Sequence, residues 1–491
     1  MHTVQSIDER RQNVAALISP TRKSELGQFM TSSRIAGFMA GMFSNLQGRN
    51  IRLLDAGAGI GSLTAAFVQR AAEDRPASLS LSAWEIDPLM RGHLLETLDG
   101  CRQLLEKSGT QAIVEIHPED FILDACRHVG HMQPPRFSHA VLNPPYRKLS
   151  SNSTHRRMLR TVDIETSNFY TAFVALSMLM LESGGELVAI TPRSFCNGTY
   201  FKPFRKMLFQ LAALRRVHVF ESRDHAFRGD EVLQENIIFH LVKGARQGEI
   251  VLSSSSDASF SDLTEKMVSF ANIVGVDDED RIIHLPTESE ESGLDDLMLR
   301  FPFFLADLGI GVSTGPVVDF RMKAHLRDSV SEGSVPLIYC LNFTDGFVSY
   351  PKPSKKQCAL TANEETAKWL MPSGHYVLVR RLSSKEEKRR LVPAVFDPTR
   401  VPGRNIGFEN HLNVFHEGKQ GLPPFIARGL AVYLGSTFAD KWFRRFSGHT
   451  QVNAGDLRAL RYPSRATLES WGRNVGDRLP LQMAIDAMVE G

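Results

Sequence analysis

"LLDAGAGIGS", residues 53–62, joins an apolar run to three glycines at alternate positions, Gly57, Gly59 and Gly61, and the segment after it has helical periodicity. Three glycines at that spacing free the backbone to turn sharply and to come close to a ligand at a strand-to-helix junction. The spacing G-x-G-x-G differs from the dinucleotide fingerprint G-x-G-x-x-G, and an acid, Asp55, ends the strand. A carboxylate at the mouth repels a phosphate and suits a cofactor with a cationic amino or sulfonium group. The loop therefore points to S-adenosylmethionine ahead of a dinucleotide.

Outward from that loop, residues 51–240 alternate strand-like and helical runs: "IRLLDAG", "SLTAAFVQRAA", "LSLSAWEID", "AIVEIHPED", "SHAVLNPPY", "FYTAFVALSMLMLESGG" and "ELVAITPRS". This predicts an α/β sheet with helices on its faces. "LRRVHVF" and "ENIIFHLVKG" follow without a full helix between them, which predicts an antiparallel pair at the sheet edge. The serine cluster "LSSSSDASFSDL" and the acidic run "TESEESGLDDL" make poor cores, so residues 246–300 read as a linker or mobile subdomain. From Phe301 the signals are short and Gly/Pro-rich, predicting a second domain of α+β character.

A chain of 491 residues with 42% hydrophobic content holds two or three domains with their own cores. Five scattered cysteines lacking any Cys-x-x-Cys pair argue against a disulfide framework or zinc site and fit a reducing cytoplasm. The N-terminal stretch carries both charge signs and no long apolar core, unlike a signal peptide, and Phe169–Leu181 falls short of the roughly 20 residues that span a bilayer. The net charge of +2 hides a division. Residues 253–300 carry twelve acids against three bases; residues 351–450 carry seventeen bases against eight acids. The basic block predicts a polyanion-binding surface, a solvated mixed-charge face being the plain alternative.

Candidate ligand-binding residues recur at successive strand ends, where open α/β sheets bind their ligands. Glu85 in "SAWEIDP" can accept from both ribose hydroxyls, with Asp87 as a helix cap. In "HPEDF", Asp120 can accept from an adenine amino group and Phe121 can stack on the ring. Each has an ordinary alternative: Glu85 a surface charge, Asp120 a cap, Phe121 a core residue.

The fourth strand ends in Asn143-Pro144-Pro145-Tyr146. Two prolines stop the strand and stiffen the turn. A planar NH2 is a poor nucleophile because its lone pair is delocalised; the Asn143 side-chain carbonyl and the Pro144 backbone carbonyl can each accept one of its hydrogens and leave the nitrogen more electron-rich. Tyr146 offers a flat face for the target, and Pro144 and Pro145 hold both acceptors rigid.

These residues resemble the gamma class of N6-adenine DNA methyltransferases of restriction-modification systems. "RKSELGQFMTS", residues 22–32, is similar to that family's N-terminal motif, which would have Thr31 bind the methionine carboxylate; Ser32 stands where the family has proline. "GIGVSTGPVVDFR", "PLIYCLNF", "YVLVRRLSSKEEKRR", "NHLNVF" and "GHTQVNAGDLRALRYP" resemble recognition domains of the subgroup around the PstI and BsuBI enzymes. The resemblance implies a Rossmann-like S-adenosylmethionine-dependent methyltransferase domain at 1–245, the linker at 246–300 and a DNA target-recognition domain at 301–491. It implies double-stranded DNA as partner, a flipped adenine as target and a separate cognate restriction endonuclease acting on the same site. The family also sets an aromatic against the other face of the flipped base; Phe239 is the candidate, with a buried core phenylalanine as alternative. Arg380, Arg381, Lys385, Lys388, Arg389 and Arg390 would then contact phosphates. The same NPPY chemistry also serves protein glutamine or RNA methylation, and a catalytically inactive DNA-binding relative is the reading from another class.

Overall fold

The computed structural model describes residues 8–14, 30–130, 136–220, 236–275, 278–285, 300–383, 387–446 and 451–491. Among the described residues, no helix is long and apolar enough to cross a membrane. The chain forms two compact units, Met1–Thr287 and Glu288–Gly491.

Among the described residues, unit 1 is built on nine strands: β1 (Asn50–Ala56), β2 (Ser78–Trp84), β3 (Gln111–His117), β4 (Phe137–Leu142), β5 (Leu181–Pro192), β6 (Ala212–Phe220), β7 (Asn236–Lys243), β8 (Ile250–Ser255) and β9 (Thr264–Val268). Their order across the sheet is β3-β2-β1-β4-β5-β7-β6-β8-β9. β1 to β5 run parallel, and β7 inserts antiparallel between β5 and β6. Helices α1 (Ser33–Gly41), α2 (Ser62–Asp74), α3 (Pro88–Lys107), α4 (Phe121–Gly130), α5 (Thr154–Arg160), α6 (Phe169–Met180) and α7 (Lys202–Leu211) accompany the strands, with an apolar cluster on each face of the sheet. This is the α/β sheet covered by helices that the alternating pattern predicts, with the Rossmann-like fold that the resemblance implies. The central strands are apolar nearly throughout because both faces are covered; all six residues of β4 are buried. The strand order reverses between β1 and β4, and a crevice opens outside the carboxyl ends at such a switch point.

Two expectations need correction. β6 and β7 do pair antiparallel, but they are not the edge, since β8 and β9 extend the sheet beyond them. The expected linker at 246–300 therefore belongs in part to unit 1. Its serines are ladder residues: Ser253 and Ser255 are buried, and their hydroxyls bracket the two ring nitrogens of His218 at 3.0 and 3.1 Å. A polar run becomes core where every hydroxyl has a partner. The acidic part of that segment, residues 286–299, lies outside the described residues.

Unit 2 is mixed α+β. One sheet orders Gly311–Thr314, Leu412–His416, Tyr376–Arg380, Pro393–Phe396, Phe347–Val348 and Phe343–Thr344; a second orders Leu326–Arg327, Ala359–Thr361, Ser334–Ile338, Asn405–Phe408 and Leu370–Pro372. The proposed phosphate-contacting cluster is only partly available. Arg390 is fully buried, with its guanidinium 5.4 Å from the Phe443 ring. Arg380 pairs with Glu387, and Arg389 donates to the Ser436 carbonyl. The turn is drawn inward because Asp440 accepts from the backbone N–H groups of Arg390 and Leu391 at 2.7 and 2.8 Å. Lys388 is exposed, and Lys385 lies outside the described residues.

Candidate active site

The loop after β1 carries Gly57, Gly59 and Gly61 at φ of 74°, 58° and 88°, all in the left-handed region. This turn folds the backbone over the end of β2: the N–H groups of Gly57 and Ala58 both donate to the Trp84 carbonyl at 2.9 Å. Glu85 then ties down the loop from below. Its Oε2 accepts from Gly59 N at 2.8 Å and its Oε1 from Asp87 N at 2.7 Å. Burial pushes the Glu85 carboxyl above its ordinary range, against the lowering effect of those two N–H groups. Asp87 is the cap that the sequence predicts, accepting from Leu89 N at the start of α3.

Gly61 serves a different purpose from the one expected of it. It does not face the cleft; a Cβ there would stand 2.9 Å from Leu94 Cδ1 and 3.0 Å from Thr97 Cγ2, so this glycine lets α2 and α3 pack. Gly61→Ala, which combines that overlap with a left-handed φ, is expected to destabilise unit 1 by about 1–3 kcal/mol, read as a lower denaturation midpoint. A midpoint equal to that of the parent protein would refute the packing role.

Asp55 is also corrected. It is fully buried below the loop, its Oδ2 accepting from Thr64 Oγ1 at 2.5 Å, and burial pushes its carboxyl up to about 7. It presents no surface to a ligand. The carboxylates that do line the cleft are Glu85, Glu119 and Asp120. The acidic mouth inferred from Asp55 exists, but residues at the ends of β2 and β3 build it.

Asp120 and Phe121 stand at the start of α4. Asp120 Oδ1 accepts from Leu123 N at 3.1 Å, and Oδ2 lies 2.8 Å from His155 Nε2. Burial raises this carboxyl, yet the His155 and Leu123 hydrogen bonds outweigh it and hold the group below its ordinary value. Phe121 packs at 4.9 Å from Phe173, and both rings line the cleft beside Trp84.

Across the cleft, β4 delivers the four-residue turn. Asn143 Nδ2 donates to Thr31 Oγ1 at 2.9 Å, and the single proton of the Tyr146 hydroxyl is shared between Asn143 Oδ1 at 3.0 Å and the Ile190 carbonyl at 3.3 Å. These contacts set which way the Asn143 amide faces. Burial drives the Tyr146 phenol far above its ordinary pKa, so the hydroxyl keeps its proton to donate.

One cleft thus gathers Thr31, Gly57, Gly59, Glu85, Asp120, Phe121, Asn143 and Pro145. Pro144 is buried behind it, and Tyr146 packs half-buried against the core with its hydroxyl turned inward. Phe239 is not there. It is a core residue 2% exposed, 5.5 Å from Phe195, because its position on β7 turns it into the apolar layer of the α6 face. The plain alternative for this residue is the correct one. The motif residues Gly27, Gln28 and Phe29 lie outside the described residues; Thr31 lies within them and lines the cleft. Sequence reading missed Trp84, Ile86, Phe173 and Arg147, which line it too. Ile86 carries a usable signal, since an isoleucine directly after a strand-end acid is 52% exposed.

The cleft suits a cationic, adenosine-bearing cofactor. Its carboxylates retain lone pairs beyond those engaged by the backbone, its aromatic wall offers a ring face, and above Gly59 a Cβ would meet nothing within 4 Å.

Comparison with known proteins agrees with this arrangement. The model of the Eco57I restriction-modification methylase family matches residues 96–227. The chain is 45% identical to the type II methyltransferase M.BsuBI of Bacillus subtilis over 498 residues, covering 99% of this chain and 97% of that one. It is 44% identical to the type II methyltransferase M.PstI of Providencia stuartii over 475 residues, covering 96% and 93%. Identity at that level over nearly the whole of each chain means that this chain belongs to the family of type II restriction-modification methyltransferases that includes M.BsuBI and M.PstI.

Proposed function

We propose that this protein transfers a methyl group from S-adenosylmethionine to the N6 amino group of an adenine turned out of duplex DNA, as the modification enzyme of a restriction-modification system. The observation that carries this reading is Asn143, whose side chain lines the same cleft as Gly57, Gly59 and Glu85 and is held at both ends of its amide. S-adenosylmethionine, when bound, supplies a methyl group on a positively charged sulfur.

This chain's residues do the rest. Glu85 accepts from the ribose hydroxyls with the lone pairs left over from Gly59 and Asp87, Asp120 accepts from the adenine amino group, and Phe121 covers the adenine ring. On the target side, Asn143 Oδ1 and the Pro144 carbonyl accept the two hydrogens of the incoming amine. Asn143 exchanges its Tyr146 partner for that amine, while Thr31 keeps the amide from turning. The acceptors gain strength as positive charge grows on the nitrogen, so they favour the transition state over the ground state. No general base is needed, because the proton becomes acidic once the new bond forms.

Tyr146 has two parts to test. The ring would stack on the target and the hydroxyl orients Asn143, so Tyr146→Phe is expected to cost a few-fold in kcat, about 1 kcal/mol for one lost hydrogen bond. Tyr146→Ala is expected to lose a further ~1–3 kcal/mol of stacking. A wild-type rate in Tyr146→Phe would remove the orienting role that its hydroxyl geometry supports.

Unit 2 is proposed to carry target recognition, on the strength of the seventeen bases against eight acids in residues 351–450. DNA affinity is expected to fall steeply as salt rises, with a log-log slope reduced by about 1 when one phosphate-contacting lysine such as Lys388 is replaced. Transfer of labelled methyl to duplex DNA, with the product nucleoside identified, tests the whole reading. Label found on RNA or on a protein glutamine instead would replace it.

A further inference from the structure

Asp120 is reached by a residue from outside the cofactor half of the cleft. His155 sits in the first turn of α5, on the segment that follows the Asn143–Tyr146 turn, and its Nε2 lies 2.8 Å from Asp120 Oδ2. A carboxylate can only accept, so Nε2 carries the proton. The ring is itself held edge-on to Phe169 at 5.2 Å, and Phe169 also meets the Arg147 guanidinium, 3.9 Å from the ring centroid. Phe169 and Arg147 both line the cleft.

The arithmetic of lone pairs gives this contact its consequence. Of four acceptor sites on Asp120, one on Oδ1 is used by Leu123 N and one on Oδ2 by His155, and the Ile122 N–H bears on the same carboxylate. With both oxygens tethered, the carboxylate cannot rotate, and the remaining sites point in fixed directions into the cleft. Without His155, the carboxylate would be held only by the backbone N–H groups of Ile122 and Leu123 at the start of its own helix, and Oδ2 would lose its side-chain anchor.

Resting on the proposed adenine contact of Asp120, we propose that His155 is a positioning residue for the cofactor: by donating to Asp120 Oδ2 it aims the free lone pairs of that carboxylate at the exocyclic amine, and so sets the preference for adenine over other purines. His155 does not touch the cofactor. Its effect is therefore specific to ligands that present an amine at that position.

Calorimetry with two ligands separates this role from a structural one. S-adenosylhomocysteine presents the amine; S-inosylhomocysteine presents a carbonyl oxygen, which meets a carboxylate as acceptor against acceptor. The parent protein is expected to prefer the adenosyl ligand. In His155→Ala its affinity is expected to drop about tenfold, the size of one hydrogen bond to a charged group, while affinity for the inosyl ligand changes less than twofold. His155→Gln, whose amide can still donate, is expected to keep most of the preference, and it decides the matter should the alanine variant fail to fold. Equal losses for both ligands, or no loss in either, would overturn the proposal; so would a parent protein with no preference, which would also remove the Asp120 contact. Absence of methyl transfer to DNA with the ligand preference intact would instead count against the proposed substrate and leave His155 in place.

Discussion

Asn143→Ala is expected to lower kcat by about 10² to 10³, in line with loss of a single oxyanion-type contact, while the dissociation constant for the cofactor stays within about twofold. The asymmetry follows from where the residue sits. Asn143 closes the end of β4, and its amide is engaged by Thr31 on one side and Tyr146 on the other. Neither partner is part of the loop at 57–61 that is proposed to cradle the cofactor. Removing the carbonyl deletes an acceptor whose value grows with charge on the target nitrogen, so the loss appears in turnover. Single-turnover transfer of labelled methyl measures this step apart from product release. Should Asn143→Ala methylate at the parental rate, the NPPY turn is not an amine clamp and the proposed mechanism fails. Thr31→Val, which removes the hydroxyl holding the amide, is expected to show a smaller loss of kcat, and any loss of cofactor affinity beside it would measure the methionine-carboxylate contact implied by the resemblance.

Glu85→Ala is expected to weaken cofactor binding by about 100-fold or more, because two hydrogen bonds to a charged group are worth about 1.5–3 kcal/mol each. This carboxylate accepts from Gly59 N and Asp87 N, so it fastens the glycine loop to the start of α3. Its removal leaves both N–H groups without their acceptor and would remove the proposed ribose contacts as well. Glu85→Gln separates the two effects, since an amide has one carbonyl oxygen and can serve only one of the two N–H groups. Calorimetric titration of S-adenosylhomocysteine checks the prediction, and unchanged affinity in Glu85→Ala would dismiss the ribose and loop assignment together.

Much of the cleft is legible because its residues stand beside local signals. A glycine triplet after an apolar run, an acid at the close of the next strand, and a double proline after the fourth each have a mechanical reason to end a strand there. Ends of parallel strands meet at one rim of a sheet, so residues read one at a time along the chain converge in space. Gly57, Gly59, Glu85, Asp120, Phe121 and Asn143 come together on that rule.

The misreadings share another cause. Asp55 and Gly61 flank the same loop as Gly57 and Gly59, yet they are turned to the interior, one bonding Thr64 and the other admitting Leu94. In a strand buried on both faces, alternation carries no label for which side meets the ligand, and Phe239 on β7 was misplaced for that reason. Arg390 was read from charge alone, while its burial depends on Asp440, fifty residues on, capturing its backbone.

Local sequence carries the α/β order of unit 1, the strand ends that line the cleft, the NPPY turn and the charge division between the segments around 253–300 and 351–450. These depend on spacing, on side-chain type and on the backbone limits of glycine and proline, all of which act over a few residues. Only the tertiary structure decided that Thr31 would hold Asn143 across 112 positions, that His155 would reach Asp120 across 35, and that the serines of β8 would close around His218. Such pairings depend on which faces the packed layers bring within about 3 Å of each other, a distance set by the whole core and by no stretch of chain alone.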